Sequence, residues 1–165
     1  MARLYRVTFE NVAVSAAQDL VTLLLPTSAG NFKQVDILRY WVGAADTTLP
    51  TAQMLQLRAR WLPATVTPGS VGTTPTPIQL DQGDSAAKCT AHVNDTTKST
   101  TNGTAVIVDE QTCHIYNGYD SASSGQDPIP MPNNSTSAQA FVWELLSTVS
   151  GTVHLSGGIE FSEAG

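Results

Sequence analysis

Residues 3–15 (RLYRVTFENVAVS) alternate apolar and polar side chains, and that two-residue period constrains the fold more than any other feature of the chain. Tyr5, Val7 and Phe9 fall on one face and Arg6, Thr8 and Glu10 on the other, the pattern of a half-buried strand. Similar runs recur downstream. Residues 18–25 (QDLVTLLL) stop at Pro26, and Val21, Thr22 and that proline favour a strand over a short helix at 16–24. In residues 32–42 (FKQVDILRYWV), Val35, Ile37 and Trp41 alternate with Asp36, Leu38 and Tyr40, so bulk on both faces predicts a central strand covered on both sides. Residues 54–62 put Leu55, Leu57, Ala59 and Trp61 inward.

Shorter strands are expected at 78–80 and 86–94. Asn102-Gly103 is the sharpest turn signal in the chain, so residues 95–103 predict a hairpin tip, with 105–108 and 113–116 returning beside 86–94. Residues 139–149 and 152–161 close the chain around Ser150-Gly151, with Val153, Leu155, Ile159 and Phe161 on one face. About eight strands and no convincing helix predict one all-β domain over residues 1–165. Its expected form is a two-sheet antiparallel β-sandwich, a jelly roll of about eight strands, with an immunoglobulin-like sandwich as the alternative.

Composition narrows the function. Charged residues make up only 13% and hydrophobic residues 41%, too apolar for disorder and suited to surfaces that a partner covers. The net charge of −6 and pI near 4.8 argue against nucleic acid or an anionic membrane as partner. No apolar run reaches the length of a membrane helix, and no basic segment with an apolar core opens the chain, so the chain is expected to be made and kept in the cytosol or to leave by lysis or assembly.

Little in the chain carries chemistry. Gly83-Asp84-Ser85 resembles the serine block of one esterase group, but the residues three before His92, His114 and His154 are Cys89, Gln111 and Gly151, none an acid to orient a base. Cys89, His92, Cys113 and His114 invite a zinc reading. Residues one or three apart on a strand point to opposite faces, so at most half of that set can converge. In the predicted hairpin Cys89 lies opposite Cys113 or Tyr116 depending on register; reduced thiols are preferred over a disulfide. Asp109 and Glu110, being adjacent, read as a solvated edge. The expectation is therefore no enzyme, with no catalytic, cofactor-binding or metal residues.

Contact residues are sought in two long loops. Residues 64–77, rich in Thr, Pro and Gly, read as an interaction arm, with Thr67, Pro68, Thr74 and Pro75 as candidates. Residues 118–134 contain an extended proline run, giving Pro128, Ile129 and Pro130, with Tyr116 and Tyr119 beside them.

The string MARLYRVTFENVAVSAAQDL (1–20) resembles the start of a group of small proteins encoded among the virion genes of tailed bacteriophages, many from aquatic hosts. Further on the likeness thins to an order of features: MLQLR at 54–58, a loop with Thr76-Pro77, AHVN at 91–94 followed by threonines, and Ser150-Gly-Thr152 before the last strand. The resemblance implies a virion structural protein made in the host cytoplasm, a head decoration (cement) protein that binds the major capsid protein and itself as a homotrimer on the capsid surface, or another small accessory structural protein. A carbohydrate-binding or host-adhesion module of the virion is the alternative.

Overall fold

The computed structural model describes residues 2–27, 34–122, 125, 127–132 and 137–164. Among these, thirteen strands follow one another: β1 (Ala2–Val14), β2 (Gln18–Leu25), β3 (Gln34–Ala44), β4 (Met54–Leu62), β5 (Val66–Thr67), β6 (Ile78–Gln79), β7 (Thr90–Asp95), β8 (Thr100–Thr101), β9 (Val106–His114), β10 (Tyr119–Asp120), β11 (Ile129–Pro132), β12 (Gln139–Leu145) and β13 (Val153–Ala164). Every ladder is antiparallel. One sheet runs β10-β3-β13-β1-β6 with β11 also along β3, a second runs β7-β2-β12-β4-β9, and β5 pairs with β8. The chain is all-β without a described helix, an arrangement consistent with a β-sandwich. Residues 27–31 (TSAGN), turn-forming residues that follow Pro26, fall outside the described residues except for Thr27, as do residues 123, 124, 126, 133 and 134 of the loop at 118–134.

The opening strand behaves as its alternation predicts. Tyr5, Val7 and Phe9 are buried, and β1 pairs with β13 from Ala2↔Ala164 to Val14↔Val153, interrupted by a bulge between Phe9 and Val12. One hydrophobic cluster draws on both large sheets, with Val7, Ile37 and Ile159 from the first and Leu23, Leu57 and Phe141 from the second. Across it, the Tyr40 ring of the first sheet lies 4.8 Å from Trp143 and 5.7 Å from Phe141 of the second.

Three expectations are corrected. In β3 the ladder to β13 skips Leu38, since Glu160 pairs with Arg39 and Phe161 with Ile37. This bulge reverses the faces that follow: Tyr40 and Val42 turn inward, while Trp41 turns outward, half-buried, under the Arg39 guanidinium at 4.8 Å. The outward face of β3 is thus only partly covered. Second, β7 and β9 do not form a hairpin. They are the opposite edges of the second sheet, so Cys89 beside β7 and Cys113 on β9 stand four strand positions apart and toward opposite ends of β4, and both are free thiols. Burial pushes both thiols above their ordinary pKa. Third, the strand expected from residue 86 begins at Thr90, and the two expected return strands are the single strand β9.

The outward face of the second sheet is covered, by the segment that carries β5. Leu62, Ala140 and Val142 on that face pack with Val66 of β5 in a second, smaller hydrophobic cluster.

Candidate interaction surfaces

The arm at 64–77 is strapped to the sheet. Thr67 pairs with Thr100, and Thr101 donates its hydroxyl to the Ala64 carbonyl. Ser70 and Thr97 exchange backbone bonds at 3.1 and 3.2 Å, and Thr73 and Val93 do so at 3.0 and 2.8 Å. Gly69 donates its N–H to Ser99 Oγ at 3.0 Å and Gly72 to Asp95 Oδ1 at 3.0 Å. Glycine is required at 72: a Cβ there would stand 2.1 Å from the Val93 carbonyl oxygen. The strap blunts the free edge of β7 and leaves a cleft on either side of the Thr73–Val93 pair. One, about 340 Å³, is lined by Thr74, Pro75, Pro77, Cys89, Ala91 and His92 among others. The other, about 260 Å³, lies between Val12, Gln18, Val71 and Asn94. Thr67 and Thr74 are exposed, and Pro68 and Pro75 half-buried.

Beneath the strap lies a charge network that sequence reasoning missed. Glu144, fully buried on β12, accepts from Arg58 Nε at 2.7 Å and Lys98 Nζ at 2.8 Å, with Arg60 Nε at 3.1 Å. Buried Asp19 accepts the Ser99 N–H at 2.6 Å and faces Arg60 Nη2 at 3.6 Å. Burial raises its pKa. Arg58 and Arg60 lie on the face of β4 opposite the inward Leu55, Leu57 and Ala59, and the strap above makes that face interior. The network fastens residues 98–99 to the sheet, through Lys98 and through Ser99, whose carbonyl also accepts from Arg60 at 3.0 Å, and Ser99 in turn accepts from Gly69 of the strap.

At the opposite edge, Asp109 is buried rather than solvated. A ladder irregularity skips Val108, pairing Ala59 with Asp109 and Arg60 with Ile107, and the carboxylate turns inward. Its Oδ2 accepts from the hydroxyls of Tyr40 and Tyr119, both at 2.8 Å, and burial and that carboxylate raise the Tyr40 pKa far above its ordinary value. Tyr119 is therefore a structural member of this edge, its ring 5.5 Å from Trp143. Tyr116 stays exposed, its hydroxyl on the Pro50 carbonyl at 2.8 Å and its ring edge-on to His114 at 4.7 Å. Pro128 and Pro130 are exposed on or beside β11, while Ile129 packs against the core. The candidates thus form two groups on opposite edges.

The Ser85 hydroxyl accepts from Arg3 Nη1 at 2.7 Å. Among the described residues no group of three His, Cys, Asp or Glu side chains is placed to hold a metal ion. The surfaces that composition did not flag are apolar: Val106, Ile107 and Val108 on the free edge of β9, and Leu4, Ile78 and Leu80 at β6. Three consecutive aliphatic residues at 106–108 break the strand alternation, and that was the available signal. Comparison with protein-family models, with curated proteins and with solved structures finds no match in any of the three.

Proposed function

We propose that the chain is a virion structural protein, a decoration (cement) protein that binds the major capsid protein of the mature head as a homotrimer and stabilises the shell. The observation that carries an assembly role is the exposed apolar run Val106-Ile107-Val108 on an edge strand, a surface that an isolated soluble chain ordinarily blunts and that a partner chain would cover. The resemblance of residues 1–20 supplies the phage head as the setting. Strand order supports a jelly roll, a form found in viral capsid and lectin domains. Apart from β4 and β9, which are neighbours in one sheet, successive long strands alternate between sheets, giving β10/β11-β3-β13-β1 opposite β2-β12-β4-β9, with β6 and β7 as added edges. Stabilisation follows from linkage: a protein that binds only the expanded shell favours it by about 2.7 kcal/mol per site at a hundred times its Kd.

The test is co-sedimentation of the purified chain with mature heads and with unexpanded precursors of the parent phage. Saturable binding to mature heads alone, with a raised temperature of head disruption, is expected. Lack of binding to either form sinks the proposal.

A second reading, a glycan-binding module of the virion, is favoured by one observation: the exposed Tyr116 ring is held in place by its hydroxyl and by His114, a rigid aromatic platform. A glycan array read before and after Tyr116→Ala decides it. Signal lost with the ring supports this reading, and a blank array removes it.

A further inference from the structure

The sequence holds two Asn-Gly pairs, at 102–103 and 117–118, and the fold treats them differently. In such a pair the glycine nitrogen, with no side chain beside it, can approach the carbonyl carbon of the asparagine side chain. Asn117-Gly118 is locked. Both of its N–H groups donate to the His114 carbonyl, at 2.9 and 3.2 Å, in the turn between β9 and β10. Gly118 has a φ of 63° and lies so close to β3 that a Cβ would stand 2.5 Å from the Val42 carbonyl oxygen. Asn102-Gly103 is open. Both residues are exposed in the bend between β8 and β9, outside the β5–β8 and β4–β9 ladders and without a positive φ. The Gly103 N–H donates to the Thr101 hydroxyl at 3.2 Å, on the surface. A Cβ at 103 would meet nothing nearer than the Ala64 Cβ at 3.3 Å, so the backbone here does not depend on glycine's conformational freedom.

We propose that Asn102 is a site of self-modification by deamidation. The Gly103 amide nitrogen gives its proton to solvent and bonds to Asn102 Cγ, the bond from Cγ to the side-chain nitrogen breaks, and ammonia leaves. Water then opens the five-membered imide at either carbonyl, so one water is consumed, one ammonia is released, and residue 102 becomes aspartate or isoaspartate. The step needs only water. Its effect reaches the strap. β8 is two residues long, and Thr101, next to the reacting residue, pairs with Val66 of β5 and donates its hydroxyl to the Ala64 carbonyl. Either product adds a negative charge to a chain already at −6, and isoaspartate also inserts a methylene into the main chain. A ladder of two pairs has little to hold its register against an added backbone atom. Isoaspartate at 102 therefore loosens β5 from β8 while the strap's bonds at Ser70 and Thr73 remain. The inference is independent of what the chain binds.

The test is peptide mapping by mass spectrometry of the folded chain aged at mildly alkaline pH, beside a sample aged in urea. In the folded sample Asn102 is expected to convert about ten times faster than Asn117, a barrier difference of about 1.4 kcal/mol. In urea, where the fold no longer separates the two pairs, their rates should converge. Equal rates in the folded sample, a faster Asn117, or an Asn102 that stays intact overturn the proposal. Amide exchange reads the consequence. Aged wild type should exchange faster across the β5–β8 pair with Thr73 unchanged, and aged Asn102→Gln, whose longer side chain closes the ring far more slowly, should match fresh protein. Unchanged exchange in a fully converted sample overturns the effect on the strap.

Discussion

At the scale of single residues, the buried carboxylates divide from the surface ion pairs. Glu144 has no exposure and three cationic partners, so truncating it leaves Arg58, Arg60 and Lys98 facing one another in a desolvated layer. Glu144→Ala is expected to lower the unfolding free energy by about 3 kcal/mol in a urea titration. On the open face of the first sheet, Arg6, Glu160, Arg39 and Asp120 form a half-exposed ladder across four strands. Arg6→Ala, the control, should cost under about 1 kcal/mol. Equal losses would contradict the burial argument. Asp46 gives a pH signature. Its carboxylate accepts the His154 N–H at 3.0 Å and meets Nδ1 at 2.7 Å, and these bonds hold its pKa below the ordinary range. Stability from a depressed acid is complete above the unfolded value of about 3.9 and is lost as pH falls through the folded one. Burial raises the pKa of Asp19 and Asp95, which act in the opposite sense. Melting temperature should therefore fall more steeply below about pH 4 in wild type than in Asp46→Asn; parallel acid limbs would show that the pair contributes nothing.

At the scale of elements, the strap is the informative segment. Its Thr, Pro and Gly content reads as a free arm, yet four of its residues from 69 to 73 bond backbone to β7 and the chain just beyond it. Composition predicts extended backbone; it does not say what the backbone pairs with. Gly72→Ala forces a Cβ against the Val93 carbonyl and Asp95 Oδ1, at 2.1 and 2.6 Å, so the strap must lift. A cost of about 1–3 kcal/mol is expected. Amide exchange should accelerate at Thr73 and Val93 while the β1–β13 ladder keeps its protection, and uniform acceleration would rule out a local strap. Face assignment was legible for residues 5–9 of β1, for β4 and for β13, where alternation runs unbroken through the core-facing residues. It failed in β3 at Leu38, because a bulge adds one residue with no compositional mark and reverses every face beyond it.

At the scale of the whole molecule, the partnering of strands is almost entirely non-local. β1 meets β13 and β2 meets β12, so the two ends of the chain build the centre of both sheets, and Asn102-Gly103, a bend without the positive φ of a hairpin turn, lies between β7 and β9, which end on opposite edges. The members of the Glu144 network and the residues of the β6 patch likewise come from segments far apart in the chain. Of the contact residues expected from loops, Thr67, Thr74, Tyr116, Pro128 and Pro130 are exposed, while Tyr119 and Ile129 serve the core.

By itself the amino-acid sequence determined that this chain is built of strands, roughly where they start and stop, and which face of each regular strand is apolar, because a two-residue period and its Pro, Gly and Asn punctuation are local properties of the backbone. Only the tertiary structure decided which strands pair, where bulges reverse a face, that the charged face of β4 is interior, and that the aliphatic run on β9 ends on an open edge. Those outcomes depend on desolvation and on hydrogen-bond partners supplied by segments far apart in the chain, which no local pattern encodes.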